Sequence, residues 1–118
     1  MNTHRDLEVW KYSVEFVSTV YDITKDFPKE EIYGLSSQLR QSAVAIPSNI
    51  AEGSARKGNK EYKQFLYIAL GNLAELETQL VIAHDLNYLE NIAQYDSTIT
   101  EIRSMLYTLI KSLKKKKE

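Results

Sequence analysis

The polar residues of this sequence that fall closest to apolar helical stripes are Gln38, Arg40, Asn49, Glu52 and Glu75. Asn49, Glu52 and Glu75 are the only grouping that suggests acid–base chemistry, and no nucleophile accompanies them. Cysteine is absent, and the two histidines, His4 near the N-terminus and His84 near the end of an apolar segment, lack an acid or hydroxyl partner at helical spacing that would make a triad. His4 is expected in a frayed terminus. The five polar residues read better as a hydrogen-bonded set that fixes helix register or subunit contacts, because buried polar groups must be paired. Metal ligation has no basis either. Di-iron bundles take inward carboxylates plus Glu-x-x-His pairs, and Val81 stands three residues before His84. No metal, no cofactor and no enzymatic activity are expected.

The stretch from Gly53 to Lys60 has the spacing of the phosphate loop G-x-x-x-x-G-K-[ST], with Gly53 and Gly58 in place. Asn59 stands where the lysine belongs, Glu61 follows Lys60, and the stretch comes after a helical segment and not a strand, so the nucleotide reading fails. What remains is charge: Arg56, Lys57, Lys60 and Lys63 against Glu61. Four cations at one end of a bundle can hold phosphates and, repeated around a ring, multiply counterion release. A solvated turn explains the same residues. The run Lys114 to Lys117 is a basic tail whose simplest role is to oppose the helix dipole.

Formal net charge is −1, with 15 Lys plus Arg against 16 Asp plus Glu. The molecule as a whole therefore has no long-range pull toward nucleic acid or anionic lipid. The lack of cysteine fits a reducing compartment. The start of the chain lacks the apolar core of a signal peptide, and no uncharged apolar run of about 18 residues occurs. A cytoplasmic chain with no membrane partner is expected.

The elements that must position these residues are long helices. Only four Gly and two Pro occur in 118 residues, mostly between periodic segments. A first helix is expected over about 6–26, with Trp10, Val14, Val17 and Tyr21 as its stripe, widened by Val9, Phe16 and Val20, ending at Phe27-Pro28. A second, over about 33–52, carries Leu35, Leu39, Ala43, Ile46 and Ile50; Pro47 predicts a kink or a break before Ser48. Gly53 to Gly58 is the next turn, with Asn59 as N-cap. The third, over about 60–87, alternates Tyr62, Leu66, Ala69, Leu73, Leu76, Leu80 and Ala83 without a slip and ends at a left-handed Asn87. The fourth, over about 92–114, carries Ile92, Tyr95, Ile99, Ile102, Leu106, Leu109 and Leu113, opened by Asn91 with Gln94. Short connections predict a single all-α domain: an antiparallel up-down-up-down four-helix bundle.

The third helix is apolar beyond its seam, at Phe65, Tyr67, Ile68, Leu70, Ala74, Val81 and Ile82, and Gly71 lies opposite the seam. A helix apolar nearly all round is normally buried on both sides. Tyr67, Ile68, Gly71, Ala74, Val81 and Ile82 are therefore the candidate interface of a homo-oligomer, the alternative being a wide intramolecular core.

Several pieces carry a family resemblance: Asp6 to Trp10, Phe27-Pro28 with Glu31, Tyr33-Gly34-Leu35, Gln38-Leu39-Arg40, and above all the run Ile46 to Gly53. Phe65-Leu66, Ile68-Ala69, Gly71, Leu73 and Glu75-Leu76-Glu77 continue it to about Tyr88. With these residues the chain resembles the bacterial 23S rRNA intervening-sequence proteins. The resemblance implies a four-helix bundle assembled into a ring, typically a pentamer, with an unsettled biochemical role. A similar fold is that of the accessory factor of diversity-generating retroelements, a basic barrel that binds nucleic acid and a reverse transcriptase. The functional expectation is a binding or scaffold protein, with RNA or DNA backbone as ligand at the Arg56 to Lys63 end, or a protein–protein adaptor that never touches nucleic acid.

Overall fold

In a computed structural model of the protein, residues 3–114 are described, the last of them by its backbone alone. Four α-helices follow one another: α1 Glu8–Thr24, α2 Leu35–Ser54, α3 Asn59–Asp85 and α4 Ala93–Lys114. Short 3-10 turns at His4–Asp6 and Lys29–Glu31 precede α1 and α2, and there is no strand among the described residues. The helices pack around one apolar core, as a bundle does.

The stripes of α2 and α3 form most of that core. Leu39, Ala43, Ile46 and Ile50 of α2 meet Leu66, Ala69, Leu73, Leu76, Leu80 and Ala83 of α3, all shut off from solvent. Tyr62 is only half-buried. Pro47 neither breaks nor ends α2. Proline removes the donor that Ala43 would otherwise receive, but Ile46 before it and Ile50 after it are locked in the core, which outweighs one lost backbone bond.

Three expectations about the stripes need correction. On α1 the buried set is Val9, Ser13, Phe16, Val20 and Thr24, one position away from Trp10, Val14, Val17 and Tyr21, of which Val14 and Tyr21 are exposed. Ser13 and Thr24 can be buried because their hydroxyls donate to the carbonyls of Val9 (2.7 Å) and Val20 (2.8 Å), so neither brings an unpaired group inside. On α4 Ile110 is buried and Leu109 only half-buried. Gly53 belongs to α2 and not to the turn. It is buried, and a Cβ there would stand 2.8 Å from Phe65 Cβ and 3.0 Å from Tyr62 Cδ1, so α2 and α3 approach closely because this residue has no side chain.

The helix ends differ in how they are closed. Gly58, not Asn59, is the N-cap of α3; the Asn59 amide donates instead to the Leu113 carbonyl (3.3 Å), one of the acceptors that the end of α4 leaves over. α3 ends with Asn87 at φ 66°, with the Asn87 amide on the His84 carbonyl (3.0 Å) and the Tyr88 amide on that of Ala83 (2.9 Å), the paired closure of a Schellman turn. At α4 the Asn91 side chain accepts the Ala93 amide at 2.8 Å. His4 is not frayed: it sits in a turn capped reciprocally by Thr3 and Asp6, its ring edge-on to Trp10 at 5.1 Å.

By length and composition alone α3 could cross a membrane. Its most apolar stretch also includes Glu75 and Glu77, and its seam is covered by the other helices, as in a core helix.

Candidate nucleic-acid interface

The α2–α3 turn, the last turns of α4 and the start of α1 meet at one end of the molecule. Asn59 ties α3 to Leu113, and Leu7 and Val9 share a cleft with Thr108, Leu109 and Ser112. The four cations expected at this end do not behave alike. Arg56 lies over the Phe65 ring, 4.8 Å from its centroid, and forms a 2.8 Å ion pair with Glu52, so its charge is already matched. Lys57 and Lys60 are exposed and Lys63 half-buried, and none of them makes an ion pair among the described residues. Lys111 of α4 adds a further exposed cation. The run Lys114 to Lys117 follows directly in the sequence; its side chains lie outside the described residues.

The opposite end is acidic. Asp22 and Asp26 after the middle of α1, Glu30 and Glu31, Asp85 and Glu90 gather there, with Lys25 held by Asp22 at 3.5 Å. Glu31 is structural: one carboxylate oxygen accepts the Leu35 amide at the start of α2 (2.9 Å) and the other the Tyr88 hydroxyl (2.9 Å). These bonds, the Leu35 amide first, hold the Glu31 carboxyl below its ordinary value, and the same carboxylate pushes the Tyr88 phenol up. A Cβ at Gly34 would stand 2.7 Å from that Glu31 oxygen. Phe27 packs against the Tyr88 ring at 5.3 Å.

The five polar residues do not form one network. Arg40 donates through Nε to Thr24 (2.7 Å) and stacks on Tyr21 at 4.4 Å, joining α2 to α1. Asn49 donates to the Ala45 carbonyl (3.0 Å) and to Asn72 Oδ1 (2.9 Å), joining α2 to α3. Glu52 serves Arg56. Gln38 and Glu75, both exposed, line a polar groove of about 220 Å³ between α2 and α3 together with Gln41, Ser42, Asn72 and Gln79. Asn49, Glu52 and Glu75 are thus not brought into one pocket: Glu52 lines a different, shallow surface with Ser48 and Ala55. Among the described residues no three of His, Cys, Asp and Glu are placed to hold a metal ion. His84 Nδ1 lies 3.8 Å from its exposed neighbour Asp85, with no nucleophile beside it.

Sequence reasoning missed Glu31 and Tyr88, Asn72 as partner of Asn49, and Gln79, which is buried with an Oε1 that meets no donor. The signal for Gln79 was available, since it lies on the inner side of α3 next to Leu76 and Leu80. Tyr62, the aromatic nearest the basic turn in sequence, is half-buried, and burial raises its phenol pKa. The exposed tyrosines among the described residues are Tyr33, Tyr67, Tyr107 and Tyr21, at 97%, 54%, 51% and 41%. Tyr33 and Ile32 border a groove of about 580 Å³ between α1 and α2 with Tyr21, Arg40 and Val44.

Tyr67, Ile68, Val81 and Ile82 are exposed on α3, as are Gly71 and Ala74, and a Cβ at Gly71 would meet nothing within 4 Å. The outward side of α3 is therefore apolar and uncovered in one chain.

Four helices around one core place the protein among the all-α bundles. More closely, residues 5–108 match the model of the 23S rRNA-intervening sequence protein family, and the chain belongs to that family. No curated protein matches it.

Proposed function

We propose that the protein is a non-enzymatic, homo-oligomeric binding or scaffold protein whose basic end holds the backbone of RNA or DNA. The observation that carries this is the set of cations without an ion pair among the described residues, Lys57, Lys60 and Lys63, at the end of the bundle where Asn59 meets Leu113 near the end of α4. Of the other described lysines, Lys11 is paired with Glu8 and Lys25 with Asp22 within a turn of helix, whereas Lys29 and Lys111 make no ion pair. Phosphate contacts of this kind give modest, salt-dependent affinity with little base preference. The family name, tied to 23S rRNA, makes structured RNA the first ligand to try.

The assembly is an antiparallel up-down-up-down bundle joined to its copies through the outward side of α3, on which Tyr67, Ile68, Gly71, Ala74, Val81 and Ile82 are the candidate contacts, in a ring that the family resemblance makes a pentamer, working in the cytoplasm without a membrane. Support for the topology comes from the cross-helix ties: Arg40 to Thr24, Asn49 to Asn72, Glu77 to Arg103 and Asn59 to Leu113. Support for association comes from the uncovered apolar side of α3.

The test is fluorescence anisotropy against a structured RNA and a matched DNA duplex over a salt series, beside Arg56→Ala/Lys57→Ala/Lys60→Ala/Lys63→Ala. Binding that weakens with salt and disappears in the variant is expected. Absence of binding at low salt overturns the nucleic-acid reading. A protein–protein adaptor is the second reading, favoured by the α1–α2 groove with its nearly free Tyr33; it predicts partner binding that survives loss of the four cations.

A further inference from the structure

We propose that the ligand of the basic end is a single strand, its bases stacked on Tyr67 and Tyr107 and its phosphates held by Lys60, Lys63 and Lys111 on the outward side of α3 and α4. This rests on the nucleic-acid reading above and gives it a strandedness and a place.

Two ties hold α3 against α4. Arg103 forms a 2.6 Å ion pair with Glu77, and Asn59 donates to the Leu113 carbonyl. The five residues lie between those ties along their helices. At 3.6 residues per turn, Tyr67 stands about 80° further round α3 than Glu77, and Tyr107 about 40° further round α4 than Arg103. Each is exposed and lies off the buried stripe of its helix. Lys60, Lys63 and Tyr67 follow one another at i, i+3 and i+7 on α3, and Tyr107 and Lys111 at i and i+4 on α4, so on each helix the cations lie nearer the Asn59–Leu113 tie and the ring further along.

Both rings are about half exposed. That is enough to offer a face. Neither ring takes part in a ring or cation contact among the described residues. Arg56, the remaining cation of the turn, is committed to Glu52 and Phe65. From Tyr62 to Ala74 on α3 and from Arg103 to Leu113 on α4 there is no carboxylate; the exposed Glu61 stands next to Lys60 in the sequence.

Unpaired cations beside free aromatic faces suit a strand whose bases are unstacked. A duplex hides its base faces and would use only the lysines. Tyr67 thus leaves the candidate subunit interface, of which it is the member nearest the basic end.

The experiment compares a labelled single strand of about 12 nucleotides, a length within the usual span of such sites, with a duplex of the same sequence, by anisotropy on the full chain. Tyr67→Ala and Tyr107→Ala are each expected to weaken the single strand roughly tenfold, with duplex binding unmoved and Phe at either position restoring it. Tyr33→Ala, at the other end, should change nothing. Light scattering on Tyr67→Ala should give the wild-type mass.

If Lys57→Ala/Lys60→Ala/Lys63→Ala abolishes binding while both tyrosine variants bind as wild type, the basic end stands and the stacking proposal falls. If Tyr67→Ala lowers the oligomer mass and Tyr107→Ala binds normally, Tyr67 is a subunit contact and the proposal falls. If neither form of nucleic acid binds, both readings fall together.

Discussion

The two ends of this bundle are both charged, but their charges do different things. At the acidic end Glu31 holds the first amide of α2 and the Tyr88 hydroxyl, Phe27 packs on Tyr88, and Arg40 bridges to Thr24 and Tyr21. At the basic end the helices are joined by apolar contact at Gly53 and by the amide of Asn59, while Lys57, Lys60, Lys63 and Lys111 take no part. Charge engaged in holding a fold is poorly available to a ligand. The comparison therefore separates residues whose loss should unfold the protein from those whose loss should only disarm it.

The sharpest break of that comparison is Phe27→Ala. Removing a nearly fully buried ring from the acidic end should cost about 3–4 kcal/mol, read as a lower midpoint in urea, and leave nucleic-acid affinity intact under conditions where the protein is folded. Next comes Gly53→Ala, which forces α2 away from Phe65 and Tyr62; overpacking of this kind costs roughly 2 kcal/mol and should lower the thermal midpoint although the residue lies beside the lysines. The Glu31 clamp gives a pH signature. Its folded pKa is depressed, so its stabilisation is present above the unfolded value near 4.5 and is lost as pH falls through the folded one; Glu31→Gln should flatten that acid limb of stability against pH. Tyr88 behaves conversely, its contribution being complete below 10 and lost as pH rises through its raised folded value. The smallest effect belongs to Gly71→Ala. In an isolated chain it should stabilise by about 0.5–1 kcal/mol, because the site is open; loss of mass by light scattering instead would place a neighbouring backbone there.

The stripes of α2 and α3 were legible because every buried position there except Gln79 and the small polar residues is apolar, and their period does not slip. α1 misled because two of its five buried positions are hydroxyl residues whose polarity is satisfied by their own helix, which a hydropathy pattern does not register. Gly53 read as a turn residue since glycine usually punctuates; that it marks a close helix crossing depends on Phe65 and Tyr62, twelve and nine positions away. The basic turn was visible as composition, but which of its cations are free depended on Glu52, one helical turn earlier. Tyr107, forty-four residues from Lys63, could join the site only once α4 was laid beside α3.

The length of the molecule has a consequence for how its net charge should be understood. The bundle extends 49 Å along its long axis, whereas the field of a surface charge decays over about 8 Å in physiological salt. Its ends are thus electrically invisible to one another. A net charge of −1 describes neither: a polyanion near the lysines meets a cationic body, and the carboxylates at the far end exert no veto on its approach. Only when the salt is lowered until the screening length rivals the bundle would the two poles act as one dipole, turning each approaching strand before it touches.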